Sequence, residues 1–277
     1  MTASVKDLNR IFASGNKVIP GFPAAGPREY LHFDPYRVRV GIVTSGGVCP
    51  GLKTVVDQIV RRHCLYASRY RVSQGMRSDS QYPAILGFVN GFRGLVEKKF
   101  LALDPSITEH WPRKGGSMLR QLRESKKPDA RPRAAAMATS LRDLQLDILY
   151  IAGGDGSLQT VAELLALQSI RKEIVIAHIP KTMDNDIPWV TQSFGFETAV
   201  SEAARLVNAL RDEAESNNRI GLVEVLGANL GHTAAHTALA SGEVDAVLIP
   251  EENPICFDRV LDHLDEKALG LAAKGMR

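Results

Sequence analysis

Gly153-Gly154-Asp155-Gly156-Ser157 and Pro180-Lys181-Thr182-Met183-Asp184-Asn185-Asp186 are the two stretches that decide the fold. Each closely follows a short apolar run, Ile148-Leu149-Tyr150-Ile151 in the first case and Ile174-Val175-Ile176-Ala177 in the second. Apolar runs of this length without alternation predict strands covered on both faces, as in a parallel sheet. Such a sheet delivers its ligand-binding loops at the carboxyl ends of its strands. Asp155, Asp184 and Asp186 are therefore expected to converge on one crevice. Carboxylates beside a glycine turn suit phosphoryl transfer, because magnesium takes hard oxygen ligands and phosphate oxygens take backbone N–H donors.

Working outward, strands and helices alternate. The pattern predicts a strand near 38–44, helix 52–66, strand 85–89, helices 105–111 and 139–145, strand 147–151 and helix 157–168. It continues with strand 174–179, helix 197–215, strand 220–225, helix 232–241, strand 245–249 and helix 257–274. Parallel neighbours need crossover helices, so the expected class is α/β with a doubly wound, mostly parallel sheet. Residues 1–36, with Pro20, Pro23, Pro27 and Pro35, read as an extended N-terminal arm. Residues 68–83 read as a polar, turn-rich surface insertion.

Composition narrows the function. At 277 residues, with 44% hydrophobic and 23% charged side chains, the chain has the make-up of a folded globular protein. A net charge of +3 does not by itself call for a polyanionic partner. No apolar run approaches the roughly 18 residues that a membrane helix needs, and the first residues lack a signal peptide's apolar centre, so a cytoplasmic protein without a membrane partner is expected. The three cysteines, Cys49, Cys64 and Cys256, are widely spaced and form no C-x-x-C, which points to incidental thiols rather than a disulfide framework or zinc site. Basic residues cluster from Arg113 to Arg142, but without interleaved aromatics, so a solvated face is expected there and not a nucleic-acid site. His232 and His236, one helical turn apart, lack a nearby third ligand and read as a polar helix face.

A further glycine loop, Ser45-Gly46-Gly47-Val48-Cys49-Pro50-Gly51, lies between a predicted strand and helix, where backbone N–H groups and the helix's positive end can meet an anion. The stretches Gly41 to Gly51, Gly87-Phe88-Val89-Asn90-Gly91-Phe92-Arg93-Gly94-Leu95, Gly153 to Ser157, Pro180 to Asp186 and Arg219-Ile220-Gly221-Leu222-Val223-Glu224-Val225-Leu226-Gly227 occur in this order. Together they resemble the phosphofructokinases, both ATP-dependent and pyrophosphate-dependent. The resemblance implies a phosphofructokinase-like fold, with a phosphate-donor domain over 37–186 and a partial second α/β domain for substrate over 187–277.

It also implies roles. Gly46, Gly47, Gly154, Asp155, Gly156, Ser157 and Arg123 would hold the donor, Asp155 and Asp186 would hold magnesium, and Asp184 would be the base that accepts the acceptor hydroxyl's proton. Thr182 would contact the transferring phosphate beside Lys181, and Thr182, Asp184, Arg219, Leu226 and Gly227 would line the acceptor site. Gly156 favours ATP over pyrophosphate as donor, whereas Lys181 and Thr160 leave both open. A bland alternative is a helix N-terminus capped by Ser157 or Asp155. Arg120 replaces a family glycine and is expected to change the shape of its loop.

The family's Met-Gly-Arg reads Leu226-Gly227-Ala228, which removes a bidentate phosphate clamp. The chain also ends at Arg277 before the family's later sugar-contacting segments, so weak use of fructose 6-phosphate is expected. Two readings follow: a phosphofructokinase-like kinase acting on a sugar phosphate or another small hydroxyl acceptor, or a catalytically weak or inactive nucleotide-binding and regulatory relative. A homo-oligomer is expected in either case, since the resemblance makes Arg219 a ligand across a subunit boundary.

Overall fold

The computed structural model describes residues 30–76, 82–121, 130–167, 174–187, 190–227, 229–252 and 256–273. The chain divides into two compact units, the first comprising Met1–Lys181 and Ile187–Thr191 and the second Thr182–Asp186 and Gln192–Arg277. The chain passes between the two units three times, after Lys181, after Asp186 and after Thr191. Most of the expected arm over 1–36 lies outside the described residues.

The first unit is built on one sheet of order β3-β2-β1-β4-β5, with β1 Arg39–Thr44, β2 Ala84–Phe88, β3 Phe100–Ala102, β4 Ile148–Gly153 and β5 Val175–Pro180. Pairs β1–β2, β1–β4 and β4–β5 are parallel, and only β3 runs antiparallel, against β2. Successive β1 residues take opposite faces, which gives two cores. Val43 joins Leu86, Phe88, Leu149 and Ile151 on one side. Helices α2 (Phe92–Val96), α4 (Ala130–Asp143) and α5 (Asp155–Ala166) cover that side with Leu95, Met137, Leu141 and Leu164. Val40 and Ile42 join Ile85 on the other, under Val56, Val60 and Cys64 of α1 (Leu52–Ser73) and Leu103, Trp111 and Leu119. A short helix α3 (Pro105–Thr108) is capped by Asp104, which accepts the N–H groups of Ser106 and Ile107.

Several expectations need correction here. Helix α1 continues to Ser73, so part of the expected insertion over 68–83 is helical. Its apolar stripe continues through Ala67, and Arg71 is buried with its guanidinium 4.3 Å from the Tyr36 ring centroid. The helix expected at 139–145 starts much earlier, at Ala130. Strand β3 and helix α2 were not foreseen, because each is too short to show a period.

The second unit contains α6 (Phe196–Ser216), α7 (His232–Ser241) and α8 (Phe257–Ala273). Phe196, Val200, Ala204 and Val207 recur at helical spacing and form the buried face of α6. The strands expected at 220–225 and 245–249 do not form among the described residues. Ile220 and Leu222 are nine-tenths exposed. An apolar stretch becomes a strand only when another backbone answers its N–H and C=O groups, and no strand is described in this unit to do so.

One buried group makes the first unit's stability depend on pH. His63 of α1 lies against β4, its Nε2 3.1 Å from the Tyr150 hydroxyl. Burial lowers its pKa to about 4. A histidine whose folded value lies below its unfolded value stabilises the fold above the unfolded pKa and loses that contribution as pH falls toward the folded one. Stability should therefore fall between pH 6.5 and about 4, by up to about 3 kcal/mol. In denaturant melts at stepped pH, His63→Gln should flatten this slope. An unchanged slope would assign the effect to another group.

Candidate active site

Strand β1 has β2 on one side and β4 on the other, so the order reverses between β1 and β4. A reversal of this kind leaves a crevice at the carboxyl ends of the two strands. The loop after β1 and the start of α5 after β4 both emerge there. The Ser45 N–H donates to Ala152 O at 2.8 Å, carrying the β1–β4 ladder into the loop, and the Lys181 N–H donates to Gly153 O at 2.9 Å from β5.

In the first loop Gly46 has φ 84°, which a side chain resists, and a Cβ there would stand 3.3 Å from Lys181 Nζ. Lys181 is buried and donates to Gly47 O at 2.6 Å. Beside this loop runs the 115–121 segment. Lys53, from the first turn of α1, donates to Gly115 O, and both burial and the nearby Lys114 lower its pKa. Arg120 sits at φ 57°, so it occupies a backbone conformation that glycine adopts at least cost. Arg123 lies outside the described residues.

At the head of α5 the capping position falls on Gly154, which has no side chain to satisfy the first-turn N–H groups. Ser157, expected as a possible cap, instead donates its hydroxyl to Gly154 O at 2.6 Å. The opening amides of α5 therefore remain suited to an anion, aided by the helix dipole. A Cβ on Gly153 would stand 1.9 Å from Ser157 Oγ, whereas one on Gly156 would meet nothing within 4 Å among the described residues. Thr160 turns its hydroxyl back onto Gly156 O at 3.1 Å. His178 of β5 brings Nε2 to 3.5 Å from Ser157 Oγ, and burial lowers its pKa. Asp155 opens the helix; its side chain is not among those described.

In the second unit, residues 182–186 form a tightly tied turn. The Asp184 N–H donates to Thr182 Oγ1 at 3.0 Å, leaving the Thr182 hydroxyl proton for another acceptor. Asn185 takes φ 52°, which an asparagine tolerates better than most residues. Its Oδ1 accepts the Ser193 N–H at 2.8 Å, and Ser193 Oγ donates to Thr182 O at 2.6 Å. From α7, the Thr233 hydroxyl donates to Met183 O at 3.3 Å and His232 Nδ1 lies 3.2 Å from Asn185 O. His236 packs edge-on against Phe196 at 5.1 Å, so the two histidines serve different neighbours.

Asp186 Oδ1 is buried with no hydrogen-bond partner among the described residues. A buried, unanswered carboxylate oxygen is costly unless a cation or donor joins it, so this atom fits a magnesium ion. Arg219 and Leu226 are exposed. A Cβ on Gly227 would come to 2.4 Å from Leu230 O, which ties that glycine to its own turn.

The residues that reasoning from the sequence missed are the ones that hold loops in place: Ser193, His178 and Lys53. A polar residue inside the β5 run was the one visible hint of His178. Ser193 carried none, since its contacts span eight and eleven residues.

A mostly parallel sheet with its switch point at two glycine loops defines a doubly wound α/β protein. The phosphofructokinase family profile matches residues 39–275, and the chain belongs to that family. It is 39% identical over 234 residues to ATP-dependent 6-phosphofructokinase 1 of Arabidopsis thaliana, covering 83% of this chain and 45% of that one. It is 35% identical to the ATP-dependent 6-phosphofructokinase of Amycolatopsis methanolica, covering 84% of this chain and 47% of the relative. The chain thus spans about half the length of the curated relatives it matches. Among solved structures, Pichia pastoris phosphofructokinase in the T-state aligns with TM-score 0.71 at 23% identity, over 88% of this chain and 24% of that one. The pyrophosphate-dependent phosphofructokinase of Marinobacter aquaeolei aligns with TM-score 0.67 at 17% identity, over 83% and 57%. Among the described residues no helix is long and apolar enough to cross a membrane.

The 182–186 turn gives a stability test that needs no substrate. Asn185→Gly keeps access to φ 52° and loses the Ser193 bond, whereas Asn185→Ala loses both. The alanine variant should be less stable than the glycine variant by about 1 kcal/mol. Denaturant midpoints compare them directly, and an equal cost would remove the backbone argument.

Proposed function

We propose that this chain carries the phosphoryl-transfer machinery of a 6-phosphofructokinase-like kinase that uses Mg-ATP. The observation that carries the reading is the 182–186 turn, where a network of hydrogen bonds fixes the backbone of two carboxylates and leaves one oxygen of Asp186 unmatched among the described residues. ATP is favoured over pyrophosphate by the space around Gly156 and by the names of the relatives at 35–39% identity.

The donor's phosphates lie against the N–H groups of the 45–47 loop and the head of α5, with Arg123 as a further contact. Asp155 and Asp186 would hold magnesium, which supplies charge neutralisation on the phosphates. Asp184 accepts the proton of the acceptor hydroxyl as that oxygen attacks the terminal phosphorus, and the bond to the leaving nucleotide oxygen breaks. The Thr182 hydroxyl, its lone pair engaged by the Asp184 N–H, directs its proton to an oxygen of the transferring phosphate. The acceptor is a sugar phosphate or related hydroxyl compound, met by Arg219, Leu226 and Gly227. Ala228, in place of the family's arginine, weakens the hold on an acceptor phosphate.

Asp184→Asn should bind Mg-ATP as the parent chain does and lose turnover by about a hundredfold or more. Steady-state kinetics beside calorimetric titration separates the two quantities. Unchanged turnover would remove Asp184 as the base, and a thermal shift given by pyrophosphate alone would reverse the donor. On fructose 6-phosphate, Ala228→Arg should lower KM by about tenfold, the value of one charge-assisted contact.

A further inference from the structure

The carbonyl oxygens of Gly46 and Gly47 are held from behind. The Gln121 amide meets both of them, and an amide facing two acceptors presents its nitrogen, at 2.6 Å from Gly46 O and 2.8 Å from Gly47 O. Gly47 O also accepts from Lys181 Nζ at 2.6 Å, so both of its lone pairs are used. In a trans peptide the C=O and the following N–H point in opposite directions. Fixing these two carbonyls inward turns the N–H groups of Gly47 and Val48 outward. Among the described residues a Cβ on Gly47 would meet nothing within 4 Å, and Val48 is 56% exposed.

The residue that holds them is itself anchored. Leu119, two positions earlier, is 1% exposed in the core under α1, and its carbonyl accepts the Asn90 N–H at 2.8 Å. The Thr44 hydroxyl at the end of β1 donates to Arg120 O at 3.4 Å. Gln121 therefore reaches the loop from a segment pinned to β1 and to the turn after β2.

We propose that Gln121 is a positioning residue for the phosphate donor: with Lys181 it locks the Gly46–Gly47 peptides so that the Gly47 and Val48 N–H groups stand ready for a phosphate oxygen. This rests on the donor assignment made above. Neither side chain has to touch the donor for the effect to operate. A pre-set pair of N–H groups spares the reorganisation that a free glycine loop undergoes on binding.

The test uses the full chain, as the parent and as Gln121→Leu and Gln121→Glu. Leucine removes the donor group, and glutamate keeps the size but sets a carboxylate against two carbonyl oxygens. Titration calorimetry with Mg-ADP and with inorganic pyrophosphate gives affinity, and amide spectra of the ligand-free protein report on Gly47 and Val48. We expect Gln121→Leu to weaken the donor by about tenfold and Gln121→Glu to weaken it further. Amide shifts should be concentrated at residues 46–48, and melting temperatures should stay close to the parent's. Unchanged affinity in both variants, or unchanged Gly47 and Val48 signals, would overturn the proposal. A loss of affinity that tracks a fall in melting temperature would assign Gln121 a merely structural role and overturn it too. If the parent chain binds neither probe, the donor assignment falls and this proposal with it; binding by the parent and loss in the variants separates the two questions.

Discussion

The parallel pairing of β1 with β4, Val40 to Thr44 against Ile148 to Ala152, is the constraint on which the rest of the first unit depends. These strands are separated by more than a hundred residues of sequence, and β2, β3, helices α1 to α4 and a 3-10 turn at Trp111–Arg113 intervene. Their adjacency places the strand order's reversal at one point, and both glycine loops open from it. The ladder continues past the strand ends through Ser45 and Lys181, so the loops inherit the rigidity of the sheet. Both faces of the sheet are buried, and slipping the register by one residue would exchange the side chains of the two cores.

Rigidity at the loops is achieved mainly by cations and amides that answer backbone carbonyls. Lys181, Lys53 and Gln121 each donate to a glycine carbonyl, and each approaches from a different segment. The same principle appears in the second unit, where Ser193 and Asn185 fix the 182–186 turn through a side chain and a backbone group each. Glycine-rich and left-handed segments cost entropy to order. Distributing donors around their carbonyls offsets that cost and also decides which way the N–H groups face.

The position of Lys181 shows how far reading by motif reaches. Its place after β5 was legible from the apolar run and the Pro-Lys-Thr that follows. Its partner was not, because the Gly47 carbonyl lies 134 residues earlier. Arg120 makes the complementary point. Arg120, which stands where the family carries a glycine, takes φ 57°, a conformation within glycine's own range. Tertiary contacts at Leu119 and Thr44 hold the segment there and outweigh the local preference of an arginine.

The sequence by itself determined the alternating strand and helix order of the first unit, the two glycine loops, the Asp184-Asn185-Asp186 turn and the family. These are signals of period, composition and short spacing, and each is local. It overreached at 220–225 and 245–249, where apolar residues are present but no described backbone pairs with them. It also stayed silent on Ser193, His178, Lys53 and Gln121. Only the tertiary structure decided those, because a hydrogen bond to a distant carbonyl depends on which strands become neighbours, and that choice is made by burial over the whole core.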